Sequence, residues 1–211
     1  MSTITSNLGL IKPDLTDNIH QTILDLSNNF QKLDDVSDIY VSSIPTSGDW
    51  ELGDKVWFTN VFVGGYVGAI NIRTGKATPQ WSSLHAYNIG DRVCPTVDNG
   101  HWYECIQSGT SAPFEPNWLV AAQTVTEDTR NKSTWQPSTF YDLYDIVVPS
   151  IPNDRFYVCT TAGTSGTSEP TWTTTDGVAT VDNEIVWITY KIVKWKESGT
   201  ACLFRPFGKI E

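Results

Sequence analysis

Two patterns of apolar positions divide the chain. Residues 14 to 35 contain no Gly or Pro, and Ile19, Ile23, Leu26, Phe30 and Leu33 follow one another at spacings of four, three, four and three. Side chains at those intervals line one stripe of an α-helix and make a heptad seam. Pro13 and Asp14 suit a helix start, and Asp17 adds a second carboxylate near the positive end of the dipole. The segment predicts a helix of roughly 20 residues, about 30 Å long. Downstream, the chain reads as short strands whose alternate residues pack inward, separated by Gly-Asp and Asn-Gly turns.

A repeat organises that downstream part. Shifting the sequence by 54 residues aligns Trp81 to Trp118 with Trp135 to Trp172 without a gap. Trp81, Tyr87, Asp91, Val93, Tyr103, Cys105, Glu115 and Trp118 recur as Trp135, Tyr141, Asp145, Val147, Tyr157, Cys159, Glu169 and Trp172. Each copy contains a hairpin. A two-residue turn at Asn99-Gly100 places Val97 opposite Trp102, Thr96 opposite Tyr103 and Cys94 opposite Cys105; a turn at Asn153-Asp154 gives the second copy the same register. Trp50-Glu51-Leu52-Gly53-Asp54-Lys55-Val56-Trp57 is a degenerate earlier copy of Tyr87 to Cys94. Ile185 to Trp195 is a long β-favouring run, and Ala201 to Phe207 adds a closing strand.

The expected fold is therefore mainly β: an N-terminal extended arm and one α-helix, followed by tandem small antiparallel β modules. Residues 1–36 hold the arm and helix, 37–80 a divergent β module, 81–134 and 135–192 the two clear repeats, and 193–211 a C-terminal closing strand.

Composition narrows the function classes. Of 211 residues, 18% are charged and 12% aromatic, with nine Trp, which provides for dry cores amid turn-forming residues. A formal net charge of -10 opposes a phosphate backbone, so no nucleic-acid partner is expected. Met1 to His20 has neither a basic start nor an apolar run, and no apolar stretch reaches bilayer length, so neither a secretory signal nor membrane insertion is expected. Cys94, Cys105, Cys159 and Cys202 match no zinc or CxxC spacing and read as reduced packing residues, although a Cys94–Cys105 cross-strand disulfide is compatible with the register above.

Recurrence itself weighs against catalysis, because a core must be rebuilt in every copy while an active site need not be. Trp81, Tyr87, Tyr103, Trp118, Trp135, Tyr141, Tyr157 and Trp172 are the expected repeat core. Trp102 and Phe156 lie on the opposite hairpin face, where one face could stack on a ligand, although packing against a neighbouring module or subunit is the favoured reading. Asp91/Asp145 and Glu115/Glu169 sit in Gly-Asp and Glu-Pro settings that favour turn capping over acid-base work. His20, His85 and His101 are isolated, and Gly64-Gly65-Tyr66-Val67-Gly68 lacks phosphate-loop spacing. No catalytic residue, metal or cofactor is expected.

The helix seam has two readings, packing on the chain's own β modules, or an intermolecular bundle or docking onto a larger assembly, and a two-heptad seam is marginal alone. Leu8-Gly9-Leu10-Ile11 ends an arm that would order on a partner. The opening Asn7-Leu8-Gly9-Leu10-Ile11-Lys12-Pro13-Asp14, with Asn28-Asn29-Phe30 and Asp34-Asp35 in the helix, resembles the start of many phage tail-fibre and baseplate proteins. Gly163 to Trp172 resembles a linker of repeats in such proteins. Each repeat is more distantly similar to small chitin- and cellulose-binding modules, through Trp81, Tyr87, Gly90-Asp91-Arg92-Val93, Tyr103, Pro116 and Trp118. Their usual sugar-stacking aromatics would fall near Gln107-Ser108 and Thr161-Ala162 and are absent. The resemblance implies a non-enzymatic virion protein, a short tail fibre or adaptor assembled in the host cytoplasm. Its partners would be tail, neck or baseplate proteins and further copies of itself, a trimer being favoured. Leu8, Leu10, Ile19, Ile23, Leu26, Phe30 and Leu33 would dock, and a host-surface glycan is the alternative ligand.

Overall fold

A computed structural model describes residues 2–34 and 38–211. Asp35 of the helix motif and the module boundary at 36/37 lie outside the described residues. The fold is mainly β, with short strands in several small sheets and, among the described residues, a single helix. The chain forms two compact units: Met1–Ile44, Lys55–Ile70 and Pro206–Glu211 in the smaller, Pro45–Asp54 and Asn71–Arg205 in the larger.

Within the larger unit, two copies of one module are built on the repeat. In the first, Arg92–Val93, His101–Gln107, Lys194–Thr200 and Val125–Glu127 form an antiparallel sheet, beside a small pair of Ala86–Tyr87 with Gly109–Thr110. In the second, Ile146–Val148, Arg155–Thr161, Ile185–Lys191 and Ala179–Asp182 follow the same scheme, with Phe140–Tyr141 pairing Gly163–Thr164. The aromatic residues expected in the core are there. Trp81, Tyr87, Val93, Tyr103 and Cys105 are buried with Val193 and Trp195, and Trp118 packs on them. Trp135, Tyr141, Val147, Tyr157 and Cys159 are buried with Ile185 and Trp187, and Trp172 packs on them.

The two Trp-bearing strands that complete these cores are taken in reverse order. The second copy uses the nearer strand, Ile185–Lys191, and the first copy the later one, Lys194–Thr200. The run read as one β stretch from Ile185 to Trp195 is thus two strands serving two cores, and much of the segment 193–211 belongs to the first repeat's sheet. The second copy is enclosed between Glu127 and Lys194 of the first.

The chain enters each closing strand past a glycine. A Cβ on Gly109 would lie 2.3 Å from the Lys191 carbonyl oxygen, and one on Gly75 would lie 2.4 Å from that of Thr200. Both contacts are with backbone, which cannot swing away. Gly109→Ala is therefore expected to destabilise the protein by about 2–4 kcal/mol, the range of strained or overpacked substitutions. Chemical denaturation measures it, and an unchanged midpoint would show that the crossing can relax.

The hairpin register differs from the expected one by three residues in both copies. Val93, not Thr96, faces Tyr103, and Val147 faces Tyr157. Side chains lengthen the loop. Glu115 accepts hydrogen bonds from the Thr96 backbone N–H at 2.8 Å and from its hydroxyl, and Glu169 holds Ser150 in the same way. Gly100 has φ of 89° and Asp154 63°, but Asn99 is not left-handed, so the two-residue turn does not form. Cys94 and Cys105 are consequently not opposite one another, and all four thiols are free.

A further sheet, most of it in the smaller unit, has Ile39–Val41 parallel to Lys55–Phe58, which pairs antiparallel with Tyr66–Asn71, and Phe204–Lys209 completes it. The parallel entry strand has a counterpart in Ser133–Thr134 beside Ile146–Val148. Trp57 and Phe207 meet edge to face at 5.4 Å.

Candidate assembly surface and buried aromatic centres

The helix runs from Ile19 to Asp34, shorter than expected at its start. Asp14 to Asp17 forms a turn instead, in which the Asp17 carboxylate accepts the Asp14 N–H at 2.6 Å. Asn18 is the cap: its side-chain oxygen accepts the His20 N–H at 2.8 Å, satisfying a donor the helix leaves unpaired. Sixteen residues make the helix about 24 Å long.

Its orientation is inverted relative to an ordinary surface helix. The N-terminal segment folds into a hairpin, Thr3–Ile4 with Ile11–Lys12, and lies against the polar stripe. Asn29 gives its amide to the Ile11 carbonyl at 2.7 Å and accepts the Ile11 N–H at 2.8 Å, while Lys32 donates to the Gly9 carbonyl at 2.7 Å. Asp25 is buried and receives the Gln21 amide. The apolar seam faces outward: Ile19 is 79% exposed, Phe30 68%, and Ile23, Leu26 and Leu33 are also exposed. Of the arm residues expected to dock, Leu8 is exposed and Leu10 half-buried.

An exposed face at Trp102 and Phe156, the ligand-stacking reading, is corrected by the structure, while packing of Phe156 on the neighbouring module is found. Phe156 is fully buried among Ala112, Ile146, Val158 and Ile192, with Val148 and Tyr190 packed around, so it presents no face to a ligand or subunit. It seals the junction between the two copies of the larger unit, an environment that hairpin alternation cannot show. Trp102 is 9% exposed and carries Arg92 over its ring at 5.5 Å and Lys76 at 5.8 Å. It is no open stacking platform.

The repeated acids cap turns. Asp91 accepts the Asn88 N–H at 2.7 Å, Asp145 the Asp142 N–H at 2.8 Å, and Asp54 the Glu51 N–H at 2.7 Å. Glu115 and Glu169 hold the hairpin loops and also accept the indole N–H of Trp118 and Trp172.

Sequence reasoning missed the polar centre of each core. Asp128 is completely buried and accepts the indole N–H of Trp81 at 2.8 Å and of Trp195 at 2.9 Å on one oxygen, and the Ala112 N–H at 3.1 Å on the other. Asp182 does the same for Trp135 at 2.8 Å, Trp187 at 3.1 Å and the Gly166 N–H at 2.8 Å. Burial pushes the Asp128 carboxyl up to about 6, against the opposing effect of its three donors. The signal was present: Thr126-Glu127-Asp128 and Thr180-Val181-Asp182 keep the 54-residue interval beyond Trp118.

His101 joins Glu197 at 2.8 Å. Burial of Glu197 favours its neutral form, but the His101 contact and the Gln123 and Gly199 N–H donors outweigh that and lower its pKa. Burial pushes the Cys105 and Cys159 thiols up to about 11, which keeps them protonated at neutral pH. Among the described residues no group of three or more His, Cys, Asp or Glu has a metal-holding arrangement, and no helix is long and apolar enough to cross a membrane. No family model, curated protein or solved structure matches the chain.

Proposed function

We propose that the chain is a non-enzymatic structural protein of a tailed-phage particle, a short tail fibre or adaptor that attaches through its N-terminal helix and presents β modules. One observation carries the reading: the helix spends its polar stripe on the chain's own arm and leaves a heptad seam exposed. A 16-residue helix is marginal alone, and an apolar stripe open to water favours association, so the seam fits a bundle with other copies or with a tail, neck or baseplate protein. The duplicated side chains support the same reading, since the buried aromatics, the two aspartates and the capping acids all serve architecture.

Removing residues 1–35 is expected to leave the chain folded but absent from purified particles, as read by immunoblot of virions and by circular dichroism of the truncated protein. Normal incorporation of the truncated chain would end the docking role.

A further inference from the structure

The larger unit contains a groove of about 460 Å³ whose lining includes Lys76, Thr78, His85, Asp91 and Arg92. The repeat supplies an internal comparison for it. Gly75–Lys76 pairs with Asp49–Trp50 as Gly109–Thr110 pairs with Ala86–Tyr87, which makes Ala112 the counterpart of Thr78. At the 54-residue interval, Ile146 is the counterpart of Arg92 and Phe156 that of Trp102. Ala112, Ile146 and Phe156 meet in a closed apolar cluster. At their counterpart positions stand a hydroxyl, a guanidinium and an indole, and Thr78 and Arg92 border an open groove. Fold alone does not require that exchange, because the apolar version is built in the same unit.

Three further observations bear on what the groove takes. Thr78 is 8% exposed, and its hydroxyl is a buried side-chain oxygen without a hydrogen-bond partner among the described residues. Such an orphan is destabilising, and a valine or alanine would avoid it. Arg92 lies over the Trp102 ring with no carboxylate partner among the described residues, and His85 packs edge to face on Tyr87 at 4.7 Å with both ring nitrogens free of protein hydrogen bonds there. Lys76 adds a second cation, shared with Asp49 at 2.7 Å. Asp91 is the one carboxylate in the lining, and it is engaged by the Asn88 N–H. Two cations here stand against two carboxylates, Asp91 and the Asp49 partner of Lys76, so the groove is locally neutral in a chain of net charge -10 and is rich in hydrogen-bond donors.

We infer that this groove binds a small anionic ligand, a phosphate- or carboxylate-bearing polyol or sugar, with Arg92 and Lys76 meeting the anion and Thr78 and His85 donating to it. Its volume suits a ligand of that size. Arg matches planar or tetrahedral oxyanions with paired donors, so most of the discrimination falls on Arg92. The inference is independent of the docking helix and stands or falls without it.

The test is a titration of the full-length ¹⁵N-labelled chain with inorganic phosphate, glucuronate and glucose, followed by amide shifts. Saturable shifts at residues 76–78 and 90–93 with one or both anions, and none with glucose, are expected; the tighter of the two identifies the anionic group. Arg92→Gln, at an exposed position, is expected to weaken binding about tenfold or more. Thr78→Val is expected to weaken binding while raising the melting temperature of the free protein, two effects that a purely structural threonine would not combine. No saturable shift with either anion, equal shifts with glucose, or undiminished affinity in either variant would overturn the assignment.

Discussion

Asp128→Ala is expected to cost about 3–5 kcal/mol of stability. The change strands the indole N–H groups of Trp81 and Trp195 and the Ala112 N–H in a dry core. Each orphaned donor costs about 1–3 kcal/mol, and the loss falls short of their sum because the buried charge is removed with them. Asp182→Ala removes the same three-donor centre from the second copy and should behave alike. Urea unfolding followed by tryptophan fluorescence measures both, and a loss under about 1 kcal/mol would show that the centre contributes little.

The same carboxyl sets a pH dependence with a definite sign. Its ordinary value is 3.8 and its folded value about 6, so between those limits the folded state binds the proton more tightly. The contribution is fully present below about pH 4 and is lost as pH rises through 6, an amount on the order of 3 kcal/mol. Carboxylates with lowered values, such as Glu197 and Glu169, act in the opposite direction and obscure this in the parent protein. They cancel in a comparison with Asp128→Asn. The parent should gain on that variant on acidification from pH 7.5 to 4.5, and a flat difference would contradict the assignment.

Phe30→Asp combined with Ile23→Asp is expected to abolish self-association completely. Both positions lie on the exposed seam, and a charge there would be buried on helix pairing without a partner. The substitutions should leave the arm in place, because Asn29 and Lys32 hold it from the other stripe. Sedimentation equilibrium should give an oligomer, with a trimer favoured, for the parent and a monomer for the variant. A parent chain that stays monomeric at high micromolar concentration would remove self-assembly from the proposed function and leave only docking on another protein.

Much of the fold was legible because it is written twice. A core aromatic recurs at a fixed interval whatever the turns do, so Trp81, Tyr103 and their partners could be placed before any register was known. Asp128 and Asp182 recur just as faithfully. An acid at a strand end beside a turn reads as surface, and only convergence of two distant indoles makes it a core residue.

Sequence by itself therefore determined the class of structure, the repeat, its aromatic cores and the heptad stripe, but not the direction in which that stripe faces, since only the former follow from residue type and spacing along a local element. Tertiary structure alone decided the rest. The hairpin register depends on Glu115 and Glu169 reaching loops 19 residues away. Which closing strand serves which core, the sealing of Phe156 and the opening beside Arg92 depend on contacts between segments far apart in the chain, and no local pattern carries that information.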